Sequence, residues 1–192
     1  MTDDTATAER LKQIIADLKE AERKVLNSPT ICPPPPGLEK NHTYEIGGYK
    51  YLVTDLAKRT VTITGTTDAN LSNIIVKDSV ELADGKLYEV TEVAAKAFLN
   101  HKKVTSVQIG MNVEKIGEQA FAKCVKLKKI VMKSARLTEI GKKAFLKDKK
   151  LKSIDIKSKV LKEVGKNAFK GYKKLTSATI GKNVTKIEAG AF

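Results

Sequence analysis

The stretch Val113-Glu114-Lys115-Ile116-Gly117-Glu118-Gln119-Ala120-Phe121 decides the fold, because its closing pair returns. Ala-Phe recurs at Ala97-Phe98, Ala120-Phe121, Ala144-Phe145, Ala168-Phe169 and Ala191-Phe192, in steps of 23, 24, 24 and 23 residues from Phe to Phe. A fixed period in this range marks a stack of repeats, in which each unit buries its apolar face only against a neighbour.

Two half-patterns fill each period. The first is an apolar residue, two variable ones and an alternating run: Leu71-Ser72-Asn73-Ile74-Ile75-Val76, Val104-Thr105-Ser106-Val107-Gln108-Ile109, Leu127-Lys128-Lys129-Ile130-Val131-Met132, Leu151-Lys152-Ser153-Ile154-Asp155-Ile156 and Leu175-Thr176-Ser177-Ala178-Thr179-Ile180. Its last positions alternate in and out, as a strand requires. The second runs through Val113 to Gly117, Leu137 to Gly141, Leu161 to Gly165 and Val184 to Ile187. It predicts a second short strand and then one helical turn around Ala-Phe, with the glycine permitting the bend. Residues 81–90 are an insertion, and Asp84-Gly85 within them predicts a small hairpin. An apolar-to-charged change at Ile130 or Ile154 is expected to disrupt several rungs at once.

The unit L-x-x-I-x-I…V-x-x-I-G-x-x-A-F over residues 71–192, with Cys124 three places past Phe121, resembles the BspA-type leucine-rich repeat. The resemblance implies a right-handed, strand-rich solenoid of about five rungs. It also implies an adhesion-type role in a surface or secreted protein, toward host proteins, other cells or matrix. It supplies no catalytic residues. The chain departs from the family by its lysine content and by Asp148 and Tyr172 at the Cys position, which leaves Cys124 as a buried, inert thiol. Cys32 and Cys124 are the only cysteines, and sequence does not decide their pairing.

Ahead of the rungs, residues 8–26 read as an amphipathic helix whose stripe includes Leu11, Ile14, Leu18 and Val25. The stripe either packs on the body of the protein or drives self-association. Pro33 to Pro36 form a polyproline spacer. Tyr49 to Val53 and Val61 to Thr64 are β-rich and joined through Leu56-Ala57-Lys58-Arg59, so this segment is expected to cap the open first rung. The expected organisation is a helix over 1–28, a proline-rich linker over 29–42, a β cap over 43–70 and the repeat array over 71–192, α/β in class and strand-rich. No polar cap follows Phe192. That suggests a piece of a longer array, or an end covered by another copy.

The charge is uneven. The first hundred residues hold 12 Lys or Arg against 15 Asp or Glu, and the rest hold 24 against 7, so the net charge of +14 resides in the repeats. Lysines gather after each Phe, at Lys102-Lys103, Lys126, Lys149-Lys150 and Lys173-Lys174. Like charges about 5 Å apart repel by roughly 1 kcal/mol in water. The rim is either solvated or a site for a polyanion: teichoic acid, sulfated glycan or nucleic acid. Base-specific reading is disfavoured, since it relies on arginine forks and exposed aromatic platforms.

Outward strand positions give two columns, Ser106, Lys129, Ser153, Ser177 and Gln108, Val131, Asp155, Thr179, on a face expected to be regular and weakly charged. This is the candidate partner-binding surface, for a protein or glycan on another cell or matrix. The alternative is an assembly protein that self-associates through its helix and open end. Glu114, Glu139 and Glu163 form a column suited to ion pairing between rungs. His42 and His101 are isolated, with His101 expected on the solvated rim, and neither has metal-ligand spacing. No nucleophile elbow, phosphate loop or zinc signature is present, so no enzyme and no cofactor are expected. No run reaches the length of a membrane span. No signal peptide is read at the start, because Ile14-Ile15-Ala16 is flanked by charges. The chain is expected to be extracellular or at the cell surface, with a cytoplasmic location kept as the alternative.

Overall fold

A computed structural model of the chain describes residues 37–147, 150–156 and 158–192. The expected helix, its residues Leu11, Ile14, Leu18 and Val25, the proline spacer, Asp148 and Lys149 all lie outside them.

Every regular element among the described residues is a strand. The first three, β1 (Thr43–Ile46), β2 (Tyr49–Asp55) and β3 (Thr60–Thr66), form an antiparallel meander. The repeats then supply long strands β4 (Asn73–Ile75), β7 (Ser106–Ile109), β9 (Lys129–Met132), β11 (Ser153–Ile156) and β13 (Ser177–Ile180). They also supply short strands β6 (Leu87–Val93), β8 (Lys115–Ile116), β10 (Glu139–Ile140), β12 (Glu163–Val164) and β14 (Lys186–Ile187). The insertion is a hairpin in which β5 (Ser79–Glu81) pairs antiparallel with β6, turning at Gly85 with φ 70°.

Short strands pair in parallel from β6 to β14, and β3 extends their ladder at its other end. Long strands form two ladders, β4-β7-β9 and β11-β13, with an interruption between β9 and β11. The repeats therefore stack rung on rung, as their period requires. Phe98, Phe121, Phe145 and Phe169 are fully buried and stack nearly parallel, with ring centroids 5.1–5.2 Å apart. Phe192 continues the row at 5.3 Å but remains 44% exposed. Inward residues of the long strands, such as Val107, Ile109, Ile154 and Ile156, meet those of the short strands, such as Ile116, Ile140 and Val164, around this row. Ile130 is only half-buried, unlike Ile154, so the two are not equivalent as expected.

Two local expectations are corrected. The segment around Ala-Phe is a tight turn, not a helical one. Ala120 N–H bonds to Gly117 O at 3.3 Å with Gln119 at φ 57°, and Lys96, Lys143 and Asn167 take the same left-handed conformation in their rungs. A positive φ at the third position is what a type II turn demands. Helical bonding is lost because the Phe N–H groups bond to the next rung instead: Phe98 to Ala120 O at 2.7 Å, Phe121 to Ala144 O and Phe145 to Ala168 O at 2.8 Å. With no helix among the described residues, the α part of the expected class falls away there.

The repeat glycines also serve another purpose than a bend. Gly117, Gly141 and Gly165 do not have positive φ. A Cβ on Gly141 would lie 2.8 Å from Glu118 N and from Gly117 C of the preceding rung, and one on Gly117 would lie 2.5 Å from Ala95 N. Only hydrogen fits between rungs at this column.

With β3 pairing in parallel with β6, the meander joins the first rung. Tyr51, Val53, Val61 and Ile63 are buried against it. Tyr49 stands edge-on to Phe98 at 6.2 Å, and its hydroxyl accepts the β4 edge N–H of Ile75 at 3.1 Å. One side chain thus covers both the end of the aromatic row and an unpaired strand edge, which otherwise invites pairing with another chain.

Candidate functional site

The long-strand ladders fix the outward columns. Ser106 lies opposite Lys129 and Gln108 opposite Val131; Ser153 lies opposite Ser177 and Asp155 opposite Thr179. All eight face outward. A shallow groove brings Ser106, Gln108, Lys129 and Val131 together with Asn73 and Ile75. Asp155 lines a second groove with Val131, Met111 and Lys133. Ser153 turns toward a third, among lysines. Ser177 and Thr179 are exposed on β13. Among the described residues no ladder pairing links β9 and β11, although the second and third grooves span that gap.

Within the first groove, Ser106 Oγ donates to Asn73 Oδ1 at 2.6 Å, and Thr105 Oγ1 donates to Ser72 O at 3.1 Å. These bonds tie outward polar side chains to their neighbours one rung away, so the groove floor is held in place. Ile75 (48% exposed) and Met111 (54%) add apolar surface that the column reading missed. The signal was present: Ile74-Ile75-Val76 is apolar at a position where alternation calls for a polar residue.

The lysine rim and the sheet face were expected to be separate, and the face weakly charged. The columns themselves hold only Lys129 and Asp155 as charged groups, but Ser153 lines one groove with Lys128, Lys150, Lys152 and Lys174, so the rim lysines and those just before the strands form a single patch beside the face. Lys102, Lys103, Lys126 and Lys173 are exposed at equivalent rim positions, and Lys103 Nζ donates to Asn70 Oδ1 at 2.7 Å. Lys128 and Lys152 were legible as the second residue of the Leu-Lys pairs, but their approach to the rim depends on the angle at which each turn enters the strand.

The short-strand side carries the carboxylates, and they are paired between rungs. Lys115 meets Glu139 at 3.5 Å, and Lys186 meets Glu163 at 2.9 Å. Arg136 bridges Glu89 at 3.0 Å and Glu114 at 2.5 Å. Hydrogen bonds donated by its guanidinium to Glu89 and Glu114 raise the Arg136 pKa above its ordinary value, so this cation stays charged at any relevant pH.

His101 is not on a solvated rim. Its ring packs edge-on against Phe98 at 5.9 Å, and its Nδ1 is buried without a partner. Burial lowers its pKa, with Asp68 opposing. A half-buried imidazole beside a core phenyl is a packing group. The Cys124 thiol three places past the next Phe is also buried, donating to Phe98 O at 3.4 Å. Among the described residues no group of three or more His, Cys, Asp or Glu could hold a metal ion. No helix of the described residues is long and apolar enough to cross a membrane.

The repeat geometry and spacing agree with a known family. The BspA type leucine rich repeat region matches residues 68–192, in six copies. The chain belongs to this family. Solved structures of similar proteins include a leucine-rich repeat protein from Bacteroides capillosus ATCC 29799, at 26% identity and TM-score 0.63, covering 76% of this chain and 98% of that one. A leucine-rich repeat protein from Bacteroides ovatus ATCC 8483 is 31% identical, with TM-score 0.66, over 75% of this chain and 37% of the other. A leucine rich cell surface protein from Faecalibacterium prausnitzii A2-165 is 25% identical, with TM-score 0.59, over 80% and 46%. No curated protein matches. BspA-type repeats are generally protein-interaction modules.

Proposed function

We propose that this protein is a non-enzymatic, adhesion-type interaction module of a surface or secreted protein, which holds a protein or glycan partner on its long-strand face. We read the stack as a right-handed solenoid, the hand that parallel crossovers overwhelmingly take. In this reading residues 43–70 act as its cap and 71–192 as the array. The carrying observation is the groove over β4, β7 and β9. There Ile75 and Val131 offer apolar anchorage among Ser106, Gln108 and Lys129, whose places are fixed by the ladder. Apolar anchors within a polar surround are how interfaces concentrate their affinity. The surface placement draws support from the Faecalibacterium prausnitzii relative, described as a cell surface protein.

The test is adhesion of the purified full chain to immobilised extracellular-matrix proteins and to cultured epithelial cells. The wild type is expected to bind, and the combined variant Gln108→Ala, Lys129→Ala, Asp155→Ala to lose at least about tenfold in affinity, roughly 1.4 kcal/mol. An unchanged affinity in that variant, or no binding by the wild type to any surface, overturns the proposal.

A further inference from the structure

Beyond residue 100, the described carboxylates other than Asp155 lie on the short-strand side of the stack, whereas lysines lie on both sides. Glu114, Glu118, Glu139, Glu163 and Glu188 lie on or beside the short strands, where Lys115, Arg136, Lys142 and Lys186 pair with them. On the long strands of the described residues, Asp155 is the one carboxylate in this region. Lys128, Lys150, Lys152 and Lys174 surround their groove without an ion pair among the described residues. Pairing of Ser153 with Ser177 makes Lys150 and Lys174 equivalent positions on successive rungs; Lys128 and Lys152 are another such pair. The rise between rungs, measured by the Phe rings, is 5.1–5.3 Å.

We infer that this groove binds an acidic polysaccharide lying along the stacking direction. Its sulfate or carboxylate groups meet Lys128, Lys150, Lys152 and Lys174, and its hydroxyls meet Ser153, Ser177 and Thr176. The inference rests on the long-strand face being the interaction surface, and it names the class of one ligand. Three features select a sugar polymer. The charge repeats once per rung, a distance comparable to the length of one sugar ring, so a linear glycan can present its anions in step with the lysines. Exposed hydroxyls flank the lysines, matching the hydrogen-bonding groups of a saccharide. Nucleic acid fits less well. The patch has no arginine fork for base or phosphate recognition, and Tyr172, the aromatic nearest in sequence, is buried rather than available for base stacking. Lysine attraction of this kind is long-range and weakens as salt screens it.

The full chain is titrated by calorimetry with size-defined heparin, with the same oligosaccharide chemically desulfated, and with single-stranded DNA of matched length. The expected result is heparin binding that weakens with ionic strength, and at least about tenfold weaker binding in the variant Lys128→Gln, Lys152→Gln, Lys174→Gln. The control Lys115→Gln, Lys162→Gln, Lys166→Gln removes the same charge from the opposite side and is expected to retain wild-type affinity. Equal losses in both variants mean diffuse charge attraction and overturn the site. DNA binding as tight as heparin overturns the ligand class, whereas equal binding of the two oligosaccharides assigns the contacts to the carboxylates that both carry. Heparin binding lost in the lysine variant, with cell and matrix adhesion intact, leaves both readings standing. Absent heparin binding with adhesion intact sinks this inference alone. Thermal melts of each variant verify the fold.

Discussion

The long-strand and short-strand ladders are built from the same period and have opposite character. The short ladder runs unbroken from β3 to β14, although four of its five repeat strands have only two residues. Its continuity comes from the glycine column, which lets rungs approach closely, and from acids and bases alternating across rungs. The long ladder has strands of three or four residues and yet is interrupted between β9 and β11. Its outward strand positions carry one lysine, Lys129, and one carboxylate, Asp155, and the turns entering it bring Lys128, Lys150, Lys152 and Lys174 into one groove. A surface optimised for holding rungs together pairs its charges; one left with like charges and exposed apolar residues has been shaped by something other than stability.

The largest effect tests what the two ladders share. Phe145 stacks on Phe121 and Phe169 at 5.1 and 5.2 Å and is fully buried. Phe145→Ala is expected to lower stability by about 3–5 kcal/mol in urea unfolding. The same change at half-exposed Phe192 is expected to cost much less. Similar losses at the two sites would mean the row does not hold the stack together. The next test separates the ladders. Gly141→Val drives a side chain into Gly117 and Glu118 backbone and is expected to cost about 1–3 kcal/mol or more. Ser153→Val, outward on the long ladder, is expected to stay within about 0.5 kcal/mol. Equal costs would erase the distinction drawn between the sides.

A third prediction concerns the two 24-residue steps. Each holds one extra residue after its long strand, and a serine there makes the insertion tolerable. Ser158 Oγ is buried, donates to Leu137 O at 2.7 Å and accepts from Val160 N at 3.2 Å; Ser134 does the same toward Val113 O and Arg136 N. Ser158→Ala strands those groups and is expected to cost about 1–3 kcal/mol by thermal or urea unfolding. An unchanged midpoint would show that the backbone satisfies itself without the hydroxyl.

The Phe row, the strand pairs, the hairpin at Asp84-Gly85 and the inter-rung ion pairs were legible because each repeats with the period or carries a strong local signal. The left-handed positions were not. Lys96, Gln119 and Lys143 occupy them without being glycine, so nothing local marks the turn, and bonds to the next rung add to the turn's own. The glycine column was seen but given the wrong cause, because close approach of two backbones depends on packing between rungs. Of the site, the columns were legible from alternation. The fusion of the rim lysines with those just before the strands was not, since it follows from how each turn enters its strand, and neither was the packing of His101, which occupies the same place as Cys124 one rung earlier.

The smallest effect sharpens the comparison on the short ladder's own terms. Lys186 hydrogen-bonds Glu188 at 2.9 Å, and the Lys166 N–H also donates to that carboxylate at 2.7 Å. These bonds hold the Glu188 pKa below its ordinary value of 4.5. A carboxylate whose folded pKa is depressed binds protons more readily in the unfolded chain. Its contribution is therefore complete above pH 4.5 and disappears as the pH falls through the lower folded value. Because the group is exposed, the effect is expected to be small and to shrink in high salt. Glu188→Gln should flatten the dependence of melting temperature on pH below 4.5 while leaving the neutral plateau close to wild type. An acid limb in Glu188→Gln as steep as in the wild type would mean that this carboxylate takes no part in holding the rungs together, and that the paired charges of the short side do not account for its continuity.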